Sequence, residues 1–258
     1  MKKIFLFLML FSILPVFSKT ITGEIKKEDR ADINRIYDLN TNKPISGAIV
    51  KLPSKNYRTV TTEDGAFKLG TRIDAPTIMS VEKSGYKPFS MTIKDSFDKE
   101  PISIGIEKTT PFDVVLETDM IHLGDNSYSE NSANANQFRL SADGAFYNKE
   151  FKLKNLNSIE NIFLIIGSII GIDTVQAQKL GQSRVLTAYS SPPEIFCNGN
   201  KIAEIKINGD NQRISIPKSL LNGNEFMNIT IRTGKNLYKT TDIDYDDIEF
   251  TNLLLELK

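Results

Sequence analysis

Short runs of alternating apolar and polar residues, broken at regular intervals by turn signals, govern what this chain can fold into. The alternation appears in ITGEI (21–25), AIVKL (48–52), YRTVTT (57–62), FKL (67–69), TIMSVEK (77–83), KPFSMTI (87–93) and ISIGIEK (102–108). N-T-N-K-P at 40–44, E-D-G at 63–65 and S-G-Y at 84–86 punctuate the runs. Side chains on a strand alternate faces with period two, so each run presents one apolar face, and strands at this spacing predict an all-β sandwich. The segment KKEDRADINRIYDLNTNK (26–43) breaks the pattern and reads as an extended polar loop.

After TTPFD (109–113), where Pro111 interrupts pairing, the alternation restarts. DVVLETD (113–119), QFRLS (137–141), FYNKEFKL (146–153), VLTAY (185–189), EIFC (194–197), IAEIKI (202–207), RISIP (213–217), NITIRT (228–233) and DIEFTNLLLEL (247–257) follow. IENIFLIIGSII (159–170) is continuously apolar, and its length suits a buried strand with a bulge at Gly167 rather than a membrane span. TVQAQKL (174–180) could form a short helix, although no convincing cap is visible.

Residues 1–18, MKKIFLFLMLFSILPVFS, pair two lysines with a short apolar core and small residues, the layout of a secretory signal peptide. Export to the periplasm, the cell surface or the medium is therefore expected, with cleavage after Ser18 and no membrane span in the mature chain. Removing that segment leaves 30 basic against 32 acidic residues, a balance that offers nucleic acid no electrostatic footing. The single cysteine, Cys197, precludes an intrachain disulfide and reads as a small buried side chain.

Three motifs in the first half, PISGAIVKL (44–52), VTTEDGAFKL (60–69) and KSGYKPF (83–89), resemble the carboxypeptidase regulatory-like domain, a prealbumin-like β-sandwich. That resemblance implies an accessory module over 19–108 with little chemistry of its own. In the second half EIFCNGNKIAEI (194–205), ISIPKSLLNGNEFMNITIRTG (214–234) and DYDDIEFTNLLLEL (244–257) resemble the galactose-binding-like jelly roll of carbohydrate-binding modules, here over 109–258. Asn198-Gly199 favours a tight hairpin, and Leu220-Leu221 can plug the end of a sandwich. The architecture expected is two consecutive β-sandwiches, prealbumin-like then jelly-roll, behind a signal peptide.

The jelly-roll resemblance implies a structural calcium between the first strand's exit and the last strand's start. It would bring Asp125 towards Asp246 or Asp247, since calcium favours carboxylates and loop carbonyls. His122, the chain's one histidine, has no second histidine or cysteine to build a metal site and reads as incidental. Glycan binding uses aromatic faces with amides and carboxylates, which Tyr128, Asn136, Gln137, Tyr189 and Tyr245 can supply. No stretch resembles a glycosidase catalytic domain or a nucleophile–base pair, so an enzyme is not expected. The reading is an exported, non-catalytic protein that contacts carbohydrate or another surface polymer. A structural or assembly module that contacts envelope proteins is the rival reading.

Overall fold

Most of the period-two runs become strands, in an all-β molecule whose sheets pair around two apolar cores; of VLTAY only Tyr189 lies within the described residues. The computed structural model describes residues 23–27, 33–94, 101–127, 138, 140–153, 159–183, 189–221, 226–238 and 241–258, so the expected signal segment lies outside the described residues. The first half contributes β1 (Gly23–Lys27), β2 (Asn34–Asp38), β3 (Ile49–Leu52), β4 (Tyr57–Val60), β5 (Ala66–Phe67), β6 (Thr77–Glu82), β7 (Phe89–Ile93) and β8 (Ile102–Ile106). They form two sheets, ordered β1-β8-β2-β5 and β4-β3-β6-β7. Val50, Leu52, Met79, Val81, Phe89 and Ile93 from one sheet meet Ile36, Phe67, Ile104 and Ile106 from the other.

β2 corrects the expectation of a loop over 26–43: it lies inside its sheet, parallel to β8 and antiparallel to β5. The polar residues that disguised it are the ones that hold it. Asn34 Oδ1 accepts from Ile102 N–H at 3.0 Å. Asp38 accepts from the N–H groups of Asn40 and Thr41 and, through its other oxygen, from the Tyr86 hydroxyl at 2.9 Å.

The second half contributes β9 (Val114–Glu117), β10 (Ile121–Leu123), β11 (Phe146–Lys152), β12 (Ile162–Ile170), β13 (Glu194–Cys197), β14 (Asn200–Glu204), β15 (Gly209–Ser215), β16 (Phe226–Arg232) and β17 (Ile248–Leu257). One sheet runs β10-β17-β12-β15 with β9 also on β17; the other runs β11-β16-β13-β14. Of QFRLS, the described residues Phe138, Leu140 and Ser141 lie outside the regular elements. Asn198 and Gly199 turn β13 into β14 with φ of 48° and 76°, the positive pair a tight hairpin needs. Cys197 and Leu221 are fully buried in the shared core, and burial pushes the Cys197 thiol up to about 11. A helix, α1 (Val175–Lys179), does form: Thr174 is its cap, its hydroxyl accepting from Ala177 N–H at 3.1 Å.

The two halves meet face to face. Phe89 and Ile93 point into their own core, while Ser90 and Thr92 of β7 turn towards the second half, and Ile78 of β6 packs with Met120, Phe138 and Ile170. That contact explains why β12 is apolar almost without interruption and why every residue of β17 is buried, Glu249, Thr251, Asn252 and Glu256 included: both of their faces are covered. The bulge expected at Gly167 does not form, although the alternation of β12 breaks there: Leu164, Ile166 and then Ile169 point into the core. Pairing nevertheless continues in register on both sides, because Asn211 of β15 and Asn252 of β17 lie in the same row with positive φ. Three strands bend together, and β7 crosses where they bend.

A Cβ at Gly167 would lie 2.7 Å from Asn252 Cβ and against the Ser90 hydroxyl. Gly167→Ala is therefore expected to cost about 1–3 kcal/mol by overpacking. Gly70→Ala, whose Cβ would meet only the Tyr57 ring at ordinary distances, should be close to neutral in the same urea titration. Equal losses in the two variants would contradict this packing.

Candidate functional site

The end of the second sandwich where β17 begins gathers segments from four parts of the chain. β10 pairs with β17 so that His122 sits opposite Glu249 and Leu123 opposite Ile248. Past β10, Gly124 lies so close to the Asp247 carboxylate that any Cβ there would collide with it. Asp125 then accepts from Ser127 N–H at 2.8 Å and from Tyr245 N–H at 2.9 Å. The loop leaving β10 and the DYDD turn are thus stitched together, as the sequence led one to expect of these two segments.

His122 is far from incidental. It is 1 % exposed, with Nε2 2.8 Å from Asp247 Oδ1 and Nδ1 2.7 Å from the Leu140 carbonyl. An ionised carboxylate and a carbonyl both accept, so this geometry calls for protons on both ring nitrogens. Burial opposes that charge, but Asp247, the Leu140 carbonyl and Glu249 outweigh it and raise the imidazole above its ordinary range. The Phe138 ring packs 4.8 Å from the imidazole.

Asp246 faces the other way. Its Oδ2 accepts from Asp173 N–H at 3.2 Å, and its backbone carbonyl accepts from the Thr233 hydroxyl. Burial and the neighbouring Asp173 carboxyl push it well above the usual carboxylate range.

Asp125, Asp246 and Asp247 turn to different partners: Asp247 to the His122 ring, Asp125 to two backbone N–H groups, and Asp246 to Asp173 N–H. Among the described residues no group of three His, Cys, Asp or Glu side chains is arranged to hold a metal.

Above this layer stands a hairpin that sequence reasoning missed. Asn236 N–H donates to the Asp244 carbonyl at 2.8 Å and Lys235 bridges Tyr245 across its base. The tip carries Leu237, Tyr238 and Ile243, which are 55 %, 64 % and 66 % exposed. Tyr189, half-buried, accepts through its carbonyl from Leu237 N–H at 3.0 Å, and its ring lies 5.6 Å from that of Tyr238 at 47°. Tyr245 is half-buried at the hairpin base. Tyr128, Asn136 and Gln137 lie outside the described residues. Tyr238 could have been found from the sequence: an exposed apolar pair, Leu237-Tyr238, stands among Lys, Asn and Thr where a solvated turn needs none.

No family model matches the chain, and no curated protein matches it. Among solved structures it is similar to the M60 catalytic domain with the CBM51-1 and CBM51-2 domains of Clostridium perfringens ZmpB, at 13 % identity and TM-score 0.24 over 92 % of this chain and 23 % of that one. It is similar to dimeric latent PorU from Porphyromonas gingivalis, at 12 % identity and TM-score 0.24 over 90 % of this chain and 24 % of that one. A candidate carbohydrate binding protein from Bacteroides uniformis aligns at 12 % identity and TM-score 0.20, over 88 % of this chain and 97 % of that one. The chain spans about a quarter of the length of the first two. Likenesses this slight carry no functional argument, so the reading below rests on the geometry.

Proposed function

We propose that this is an exported, non-catalytic binding protein whose second, jelly-roll-like sandwich holds carbohydrate at the hairpin end, with the first, prealbumin-like sandwich as its rigid support. The observation that supports it is the Tyr189–Tyr238 pair: two rings fixed at 47° to each other, one of them largely exposed. Aromatic faces suit the C–H faces of sugar rings, and Asn236, whose side-chain carbonyl accepts from Tyr238 N–H, adds an amide of the kind that hydroxyl groups require. A hydrolytic role finds no support in the histidine, because both of its ring nitrogens are taken by Asp247 and Leu140 and neither faces a nucleophile.

Envelope-protein contact is the second reading, and Leu237 and Ile243 favour it. They are exposed aliphatic side chains with nothing to offer a hydroxyl, the kind of surface that marks a protein interface.

Binding to a panel of plant, host and bacterial polysaccharides, followed by titration of the best binder, separates the two. On the carbohydrate reading Tyr238→Ala weakens binding about ten-fold or more, the loss of a principal aromatic anchor. Ile243→Asp leaves that binding within about two-fold. A panel without a binder, together with a purified envelope partner whose affinity collapses in Ile243→Asp, would establish the second reading.

A further inference from the structure

The free face of the β11-β16-β13-β14 sheet carries a second group of aromatic and amide side chains that the loop-end reading does not use. Met227, Ile229 and Ile231 of β16 point into the core, so Phe226, Asn228, Thr230 and Arg232 point out. The same alternation turns Phe146, Asn148, Glu150 and Lys152 outward on β11, all four exposed, and Glu194 and Phe196 outward on β13.

Strand register sets these residues in rows. Arg232 stands between Phe146 and Glu194, Thr230 between Asn148 and Phe196, Asn228 beside Glu150, and Phe226 beside Lys152. Six residue steps separate the Phe226 row from the Arg232 row, about 20 Å along the strand. The Thr230 hydroxyl lies 2.7 and 2.8 Å from the side-chain amides of Asn148 and Asn228 and has one proton to donate, so at least one of the two amides keeps its N–H groups as donors for a ligand. Arg232 stacks 5.4 Å from the Phe196 ring and pairs with Glu194; Lys152 lies 4.1 Å over the Phe226 ring. Phe146 and Phe226 are 50 % and 59 % exposed.

The nature of this face narrows its occupant. Its carboxylates, Glu150, Glu194 and Glu204, are balanced by Lys152, Lys201 and Arg232, so neither a polyanion nor a polycation is drawn to it. Its three phenylalanines are spaced apart by amides and a hydroxyl, unlike the continuous apolar centre of a protein interface. Spaced aromatic faces alternating with hydrogen-bonding groups suit an uncharged chain whose units alternate C–H faces with hydroxyls. The face also runs into the hairpin, since Arg232 is followed by Thr233, Gly234 and then the Lys235 rung. The opposite sheet offers no equivalent, because β7 packs across it.

We infer that the ligand is an uncharged polysaccharide chain, which lies along this sheet face from the Tyr238 hairpin to Phe226 and is recognised over several consecutive sugar units. This rests on the loop-end carbohydrate reading and extends it from a terminal sugar to a polymer.

The test is calorimetric titration of the full chain with linear β-1,4-linked oligomers of glucose, xylose, mannose and N-acetylglucosamine, from disaccharide to hexasaccharide. One series is expected to gain about ten-fold or more in affinity with length, as added units reach new contacts. Phe226→Ala and, independently, Asn148→Ala should abolish most of that gain and leave disaccharide affinity unchanged, whereas Tyr238→Ala weakens every length. Both substituted side chains are exposed, and circular dichroism checks that the variants are folded. Length-independent affinity, or hexasaccharide binding indifferent to Phe226 and Asn148, would overturn the sheet-face inference while the hairpin reading stands. If no oligomer of any length binds, both fail.

Discussion

A Lys87→Met variant is expected to lose about 3–5 kcal/mol of stability, the cost of removing one partner from a buried ion-paired group. Lys87 is 5 % exposed, sitting just before β7 where the two sandwiches meet. Its ammonium lies 3.0 Å from Glu256 on β17, 3.3 Å from Glu107 and 3.7 Å from Asp113. Burial opposes its charge, but Glu256, Asp113 and Glu107 together hold it above the ordinary lysine range. Arg213 of β15 takes the other Glu256 oxygen at 2.7 Å, and its guanidinium stacks 3.6 Å over Phe163.

Methionine keeps the stem of the side chain and removes the charge, so the loss reports the carboxylates left behind rather than a cavity. A Lys87→Met/Glu256→Leu double variant should lose clearly less than the two single losses added together, since it removes both members of the closest pair. Urea denaturation measures all three. A single-variant loss below about 1 kcal/mol would mean that water reaches the cluster and screens it as on a surface.

Glu256 adds a pH signature on the acid side. Burial opposes its charge, yet Lys87 and Arg213 keep its folded value below the ordinary glutamate range. Its contribution is therefore complete above the unfolded glutamate value and disappears as acid takes the pH down through the folded one.

The contact between the sandwiches was the part least legible in the sequence. Within each half, period-two alternation found most strands, because one face of each goes into a local core and the pattern records it. KPFSMTI was read correctly for Phe89 and Ile93. Its Ser90 and Thr92, though, look identical whether they face water or another sheet; here Thr92 donates across the boundary, through its N–H and its hydroxyl, to the Asp210 carboxylate. Small polar residues on a strand do not announce what covers them. The nearly continuous apolar run of β12 was the visible half of that signal.

The candidate site divides in the same way. That the exit of β10 approaches DYDD was legible, since first and last strands of such a sandwich pair. Which donor would meet Asp247 was not, because the separation of 125 residues between His122 and Asp247 carries no spacing rule. Asn34 and Asp38 show the converse error: hydrogen-bonding residues that terminate and clamp a strand imitate a loop when only polarity is read.

His122 yields the second large effect, and its sign can be worked out. The ring is held between Asp247 and the Leu140 carbonyl, with Glu249 as the further charge from the paired strand and Phe138 over one face. Its folded value is raised above the unfolded one. A raised value means that the stabilisation is complete below the unfolded histidine range, near pH 6.5, and is lost as pH rises through the folded value. His122→Leu leaves Asp247 buried without its cation and should cost about 3–5 kcal/mol near pH 6. His122→Gln can still donate to one of the two acceptors, cannot ionise, and should lose less. The buried acid Asp246 also favours lower pH, so the readout is the difference between wild type and His122→Gln. That gap should be widest near pH 6 and narrow steadily towards pH 9 in denaturation curves. A gap that stays constant over the range would mean that the imidazole is neutral throughout and that Asp247 carries the proton between them. Because this pair stands beneath the Asp125–Tyr245 stitch, the same titration should loosen the hairpin base, and ligand affinity at the tyrosines should fall with it.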